Sequence, residues 1–299
     1  MTKPITSRSD DATLAPAGPV LDDSVLAESS DTTASPRSPW WRRGLPIVIA
    51  IALFLTVWQV VVWSGWKPDY LLPGPVAVLG ELGRLASELT FWQALGRTLT
   101  RAVAGFGLAV GIGTVIGLAA ARSRLLRSAI GSLVTGLQTM PSVVWFPLAI
   151  LLLGLGEQAI MFVVVLGAAP SIANGVLTGV DQVPPAYHKL GDVLGAHGWT
   201  LYRHIVIPAA LPSYVGGLNQ GWAFAWRSLM AGELLVLIPG SIALGNRLSA
   251  AQEFGDSTGL MAYMIVILIV GMLADTAFSA LARRIRARRG LATPAERGA

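Results

Sequence analysis

Cysteine is missing from all 299 residues, so disulfides, thiol catalysis and thiolate metal sites are excluded. Charge is scarce as well. Only 13% of residues are charged, against roughly 25% in a soluble globular chain, while 53% are hydrophobic. That balance belongs to an integral membrane protein, and the mean hydropathy of +0.60 agrees. Histidine is limited to His188, His197 and His204, spaced too widely to gather on one short helix, so no metal site is expected. No Gly-Lys-Ser or Gly-Lys-Thr loop occurs anywhere, and any ATP used must be hydrolysed by another subunit. A net charge of +5 could suggest nucleic acid. The basic residues, however, sit at the ends of apolar runs rather than along one stripe, which is a membrane pattern.

What the chain does have is a series of apolar runs. Residues 1–39 are rich in Ser, Thr, Asp, Ala and Pro and are expected to form a disordered cytoplasmic tail, and 290–299 a short cytoplasmic tail. Between them, residues 40–289 are expected to form an all-α membrane domain of six spans. These are about Leu45 to Trp63, Leu99 to Ala121, Ile130 to Leu153, Gln158 to Val180, Ser213 to Leu237 and Gly259 to Leu281. Each supplies the roughly 20 apolar residues that cross a ~30 Å hydrocarbon core. After the first span, Val78, Leu82, Leu85 and Leu89 share the face of an amphipathic helix at the membrane surface. In the second, Gly107, Gly111, Gly113 and Gly117 form small-xxx-small pairs for close helix packing. The third carries Met140-Pro141 and Phe146-Pro147, and such interruptions are tolerated only in a protein interior or along a cavity.

One polar stretch stands apart from these runs. From Pro184 to Pro212 the chain reads as a short helix, a bend at Gly191, Gly195 and Gly198, and a second short helix closed by Pro208 and Pro212. In the second helix Trp199, Tyr202, Ile205 and Val206 form an apolar face beside Arg203 and His204. The stretch resembles the cytoplasmic signature of permease subunits of bacterial ATP-binding-cassette importers: Glu-Ala-Ala, three residues, Gly, nine residues, Ile, any residue, Leu, Pro. Gly195, Ile205 and Pro208 match it, with Ile207 in place of the Leu. Lys189, Leu190 and Gly191 stand where the family has Glu-Ala-Ala, so the family's acidic contact does not carry over. The Leu-Leu-Pro-Gly-Pro at Leu71 to Pro75 and the proline-interrupted third span are similar to the nitrate, taurine and sulfonate branch.

The resemblance implies a six-helix permease of the type I importer kind, with the 184–212 loop docked on a separate ATPase subunit. It also implies an external substrate-binding protein, two permease copies around the pathway, no cofactor on this chain and a small anion as cargo. A secondary transporter of a small anion is the alternative, although the inverted repeats usual there are not visible. A membrane enzyme would need clustered acids, bases or metal ligands at one depth, and none is evident.

Six spans place both termini on one side of the bacterial inner membrane. Arg42, Arg43, Arg122, Arg124, Arg127, Lys189, Arg203 and the arginines from Arg283 to Arg289 collect there, which marks it as cytoplasmic. Pathway candidates come from the polar residues within spans. Arg227 is a charge in the outer half of the fifth span, with Gln220 on the same face, and the two suit a small oxyanion; snorkelling to head groups is the other reading. Asn219, Trp226 and Glu233 form another strip, Glu233 near an acidic position of the family; a carboxylate that bonds neighbouring helices is the favoured reading of Glu233. Gln138, Met140 and Pro141 belong to the interrupted span. Gln138 and Asn174 also suit bonds between helices, and Asp275 is expected to meet the arginines near it.

Overall fold

The computed structural model describes residues 40–195 and 198–288. The expected tails, His197 and Arg289 lie outside it, as do the side chains of His188 and Trp199. Every regular element among the described residues is helical. Packing groups the chain from Ile49 onward into one compact unit and sets the segment through Val48 apart as another.

Helix α1 (Trp40–Trp63) is apolar, and from Leu45 to Trp63 none of it is buried. A bond from Trp58 Nε1 to the Pro73 carbonyl, 3.2 Å, ties its end to the start of α2 (Pro75–Ala86). In α2, Val78 and Leu85 are buried against Phe91, Leu244, Ala262 and Tyr263, as their shared face predicts. Leu89 is exposed instead, because the chain turns at Ser87 and Leu89 opens the next helix. On the polar side of α2 Arg84 bonds Glu81, holding that carboxyl below the usual carboxylate range.

Helix α3 (Leu89–Ala121) begins well before the expected Leu99 and so includes Arg97 as well as Arg101. It packs along α6 (Glu157–Asp181) through small residues. A Cβ on Gly105 would lie 2.8 Å from Val164, on Gly113 2.6 Å from the Ala169 carbonyl, and on Gly117 2.7 Å from Val176. Gly107 and Gly111 face open space, so only Gly113 and Gly117 of the expected four lie in this seam. Increasing numbers meet increasing numbers, so α3 and α6 run parallel.

Between them the expected third span is broken. Helix α4 (Arg124–Thr139) is followed by a 3-10 turn (Ser142–Trp145) and α5 (Phe146–Leu153), with a 100° bend between the two arms. Pro141 has no N–H to continue the helix and pushes Met140 into extended backbone, φ −84° and ψ 131°. The pair still carries the chain along the bundle, since Arg127 pairs with Asp181 while Phe146 packs on Gly232.

After α7 (Pro185–Val193) comes a single turn (Trp199–Leu201), and a π-helical turn (Tyr202–Val206) leads directly into α8 (Ile207–Leu235). The second short helix is therefore continuous with the fifth span. Pro208 and Pro212 both lie within this continuous run, each lacking the N–H that would bond the turn before it. Helix α8 runs antiparallel to α6: Gly179 meets Ala210, Gly175 meets Gly217 and Gly167 meets Ser228. Helices α9 (Leu244–Glu253) and α10 (Ser257–Arg288) complete the described chain.

Among the described residues four helices are long and apolar enough to cross a membrane, and five if the bent pair counts as one span. Helix α8 is long enough at 29 residues, but Asn219, Gln220, Arg227 and Glu233 interrupt its apolar run.

Candidate functional site

Helix α8 has two unlike sides. One is buried: Trp222 stacks on Phe278 at 5.0 Å and meets Phe106 edge-on at 5.3 Å, while Trp226 stacks on Trp222 at 6.4 Å. Trp226 and Glu233 are buried, and Asn219 is half-buried with an Oδ1 that has no partner among the described residues. The strip of Asn219, Trp226 and Glu233 thus faces the bundle interior and not an open path. The opposite side is exposed and carries Gln220 and Arg227. Arg227 donates from Nε to the Ala223 carbonyl at 3.0 Å and lies 4.7 Å over the Phe224 ring, with no carboxylate beside it among the described residues. Its donors on Nη1 and Nη2 are left for another group.

Met140 and Pro141, at the bend after α4, are exposed too. Gln138, one turn before them, donates to Ser171 Oγ at 3.1 Å and so bonds α4 to α6. Asn174, expected to make a similar bond, is exposed and makes none among the described residues. Asp275 is likewise exposed and forms no ion pair with a described residue. A cavity of about 510 Å³ between α3, α4 and α6 is walled by Ile112, Ile116, Leu133, Phe162 and Leu166. Apolar walls offer nothing to an anion.

A charged cluster not anticipated from the sequence lies where α3, α6, α8 and α9 meet. Arg101 donates from Nη1 to Glu233 at 3.1 Å, from Nε and Nη2 to Glu157 at 2.8 and 2.6 Å, and from Nη2 to Ser241 Oγ at 2.7 Å. Arg97 adds a second cation on Glu157, 2.7 Å away. Thr98 Oγ1 donates to Glu233 at 2.9 Å and accepts the Leu244 N–H at 3.0 Å; the Gly245 N–H reaches Glu233 Oε2 at 3.1 Å. The Glu233 carboxylate therefore caps the first turn of α9 from another helix, where orphan N–H groups and the helix dipole favour a negative charge. Two arginines face two glutamates, so the cluster is neutral. The signal for it was Arg97, Thr98 and Arg101, one helical turn apart at the head of a glycine-rich apolar helix.

The Pro184–Pro212 stretch lies at the other end of the bundle, beyond Asp181. Two of its three glycines bend as expected, Gly195 with φ +70° and Gly198 with φ +58°, both with open space around them, whereas Gly191 lies inside α7 and does not bend the chain. Lys189, Tyr202 and Ile207 are exposed, Ile205 is half-buried and Val206 is buried. Exposed apolar side chains from both sides of the bend, Tyr187, Leu190, Val193, Leu194, Tyr202 and Ile207, present an uncovered surface. Monomeric surfaces rarely show such a patch without a partner.

With this geometry in view, the chain matches the family described as binding-protein-dependent transport system inner membrane component over residues 113–289. The taurine transport system permease protein TauC of Escherichia coli (strain K12) is 28% identical over 260 residues, 84% of this chain and 94% of that protein. The nitrate import permease protein NrtB of Synechocystis sp. is 29% identical over 236 residues, 76% and 84% respectively. Among solved structures, inward facing conformations of the MetNI methionine ABC transporter superpose with a TM-score of 0.53 at 22% identity. That likeness covers 67% of this chain and 99% of the other, and concerns the fold alone.

Proposed function

The chain belongs to the binding-protein-dependent transport system inner membrane components, and from that premise we propose that it carries a small oxyanion into the cell as the permease of an ATP-driven importer. The family sets aside the secondary transporter. The cargo class rests mainly on Arg227, a guanidinium exposed along a membrane helix, unpaired with any carboxylate among the described residues and beside Gln220 on the same face. The names of the taurine and nitrate relatives point the same way.

On this reading the chain crosses the membrane six times, with α8 and the bent α4–α5 pair counted as spans and both termini cytoplasmic. The uncovered patch around Gly195 and Tyr202 receives a separate ATPase subunit, since this chain carries no phosphate-cradling loop of its own. An extracytoplasmic binding protein delivers cargo at the end holding Glu157 and Glu233. Two copies enclose the pathway, and the exposed side of α8 faces it.

The test is uptake into vesicles holding the chain with its ATPase, with and without ATP, across taurine, alkylsulfonates, nitrate and a neutral amino acid. ATP-dependent uptake of one of the anions is the expected outcome. Uptake driven by an ion gradient without ATP, or a preference for the neutral solute, would overturn the respective half of the proposal.

A further inference from the structure

Between Val163 and Val180 every residue of α6 is buried or half-buried except Asn174. It is an amide in the middle of a membrane helix, exposed, with no hydrogen bond to a described residue. Its position can be derived from its neighbours. Ile172, Ala173 and Val176 meet the glycines of α3, while Gly175 and Gly179 meet α8, so at about 100° per residue Asn174 points to neither.

Helix α8 gives the matching view. Gly217 and Gly221 face α6, and Trp222 faces Phe106 of α3. Gly216, Gln220 and Arg227 are exposed on the side turned from α3. The open side of α6 and the open side of α8 therefore join into one flank of the pair. The Gly175–Gly217 contact fixes the level: Gln220 lies about 3 Å and Arg227 about 14 Å from Asn174 along the antiparallel helices, at about 1.5 Å per residue.

Charge selects the ligand class. The acids of α6 and α8 are each engaged by an arginine: Glu157 by Arg97 and Arg101, Asp181 by Arg127, and Glu233 by Arg101. What the flank offers is two amides and one guanidinium with no free carboxylate. We infer that Asn174 is a substrate-binding residue, the first rung of an oxyanion-binding strip completed by Gln220 and Arg227. This rests on the transport reading above. Facing lipid, the amide would leave two donors and an acceptor unpaired.

The cysteine-free sequence permits a direct test in the full transporter, reconstituted with its ATPase. Single variants Asn174→Cys and Gln220→Cys are treated with membrane-impermeant methanethiosulfonates, one anionic and one cationic, with Leu268→Cys on an exposed apolar face of α10 as control. Both polar positions should react, the anionic reagent about threefold faster or more, and Leu268→Cys should not. If Gln220→Cys reacts while Asn174→Cys stays as inert as the control, Asn174 faces lipid and the inference falls. Spontaneous disulfides between two Asn174→Cys copies would place it at an interface between chains, and faster cationic labelling would remove the anion; either overturns it. Inert cysteines at both positions without ATP-driven uptake would overturn the transport reading itself, and this inference with it.

Discussion

The guanidinium of Arg101 and the carboxylate of Glu233 meet at 3.1 Å with side chains 3% and 0% exposed. Their surroundings are unequal. Arg101 also holds Glu157, whereas no second cation touches Glu233 among the described residues. Breaking a buried pair from the side that strands a charge costs about 3–5 kcal/mol. Arg101→Leu should therefore lower the unfolding temperature of the purified protein far more than Glu233→Gln, which leaves Arg101 paired and keeps bonding capacity for Thr98 and Gly245. Equal losses would show that the cluster is not organised around Arg101.

Gly175 and Gly217 give a packing prediction. A Cβ on either would sit 2.7 Å from the other's Cα, backbone against backbone. Gly175→Val should destabilise by about 1–3 kcal/mol or block assembly, as overpacking does. Gly111→Val, in open space on α3, should be tolerated. Thermal unfolding of the two variants decides.

At Gly195 the constraint is the backbone. With φ +70° and no atom within 4 Å of where a Cβ would sit, size is irrelevant and conformation is everything. Gly195→Val should insert normally yet abolish ATP-driven uptake, because a β-branched residue is strained there by about 1–3 kcal/mol. Gly195→Asn, which visits the left-handed region more readily, should keep part of the activity. A valine variant that transports normally removes the bend from the coupling mechanism.

Lys189 is exposed on α7 where the family has an acid. If it contacts the ATPase, the opposing surface is acidic, and Lys189→Glu should weaken association by like-charge repulsion, more at low salt than at high. Pull-down of the ATPase at two ionic strengths reads this. Tighter binding would mean that the polarity of docking is reversed.

Arg227 separates two roles by a conservative change. A charge that reaches for head groups tolerates lysine, while recognition by a planar fork of donors does not. Arg227→Lys and Arg227→Gln should both assemble and lose most uptake at equal expression. Parent-like kinetics in both would make Arg227 an interfacial anchor.

The sequence made the membrane class, the helical spans and the two glycine bends readable, because hydropathy and left-handed backbone are local properties. Helix boundaries are less so: Arg97 falls before the expected start of the second span at Leu99, and only the fold shows that it shares a helix with Arg101. Their counter-charges come from Glu157 and Glu233, far along the chain, and no local pattern announces such a meeting. Glu233 makes the bond between helices that is its favoured reading, whereas Asn174 is open where a similar bond is expected. Whether a polar residue in a span is buried or open depends on which neighbour covers that side of its helix.

The π-turn at Tyr202–Val206 joins the exposed apolar patch around the bend to α8 without a break in the helix. The 29 residues from Ile207 to Leu235 make a rod of about 44 Å, so on the proposed assignment α8 acts as a lever. A tilt of about 10° imposed at its foot would displace its far end by about 8 Å. Deleting a single residue within Tyr202–Val206 would rotate the foot by about 100° against the rest of the rod, leaving both surfaces intact but out of phase.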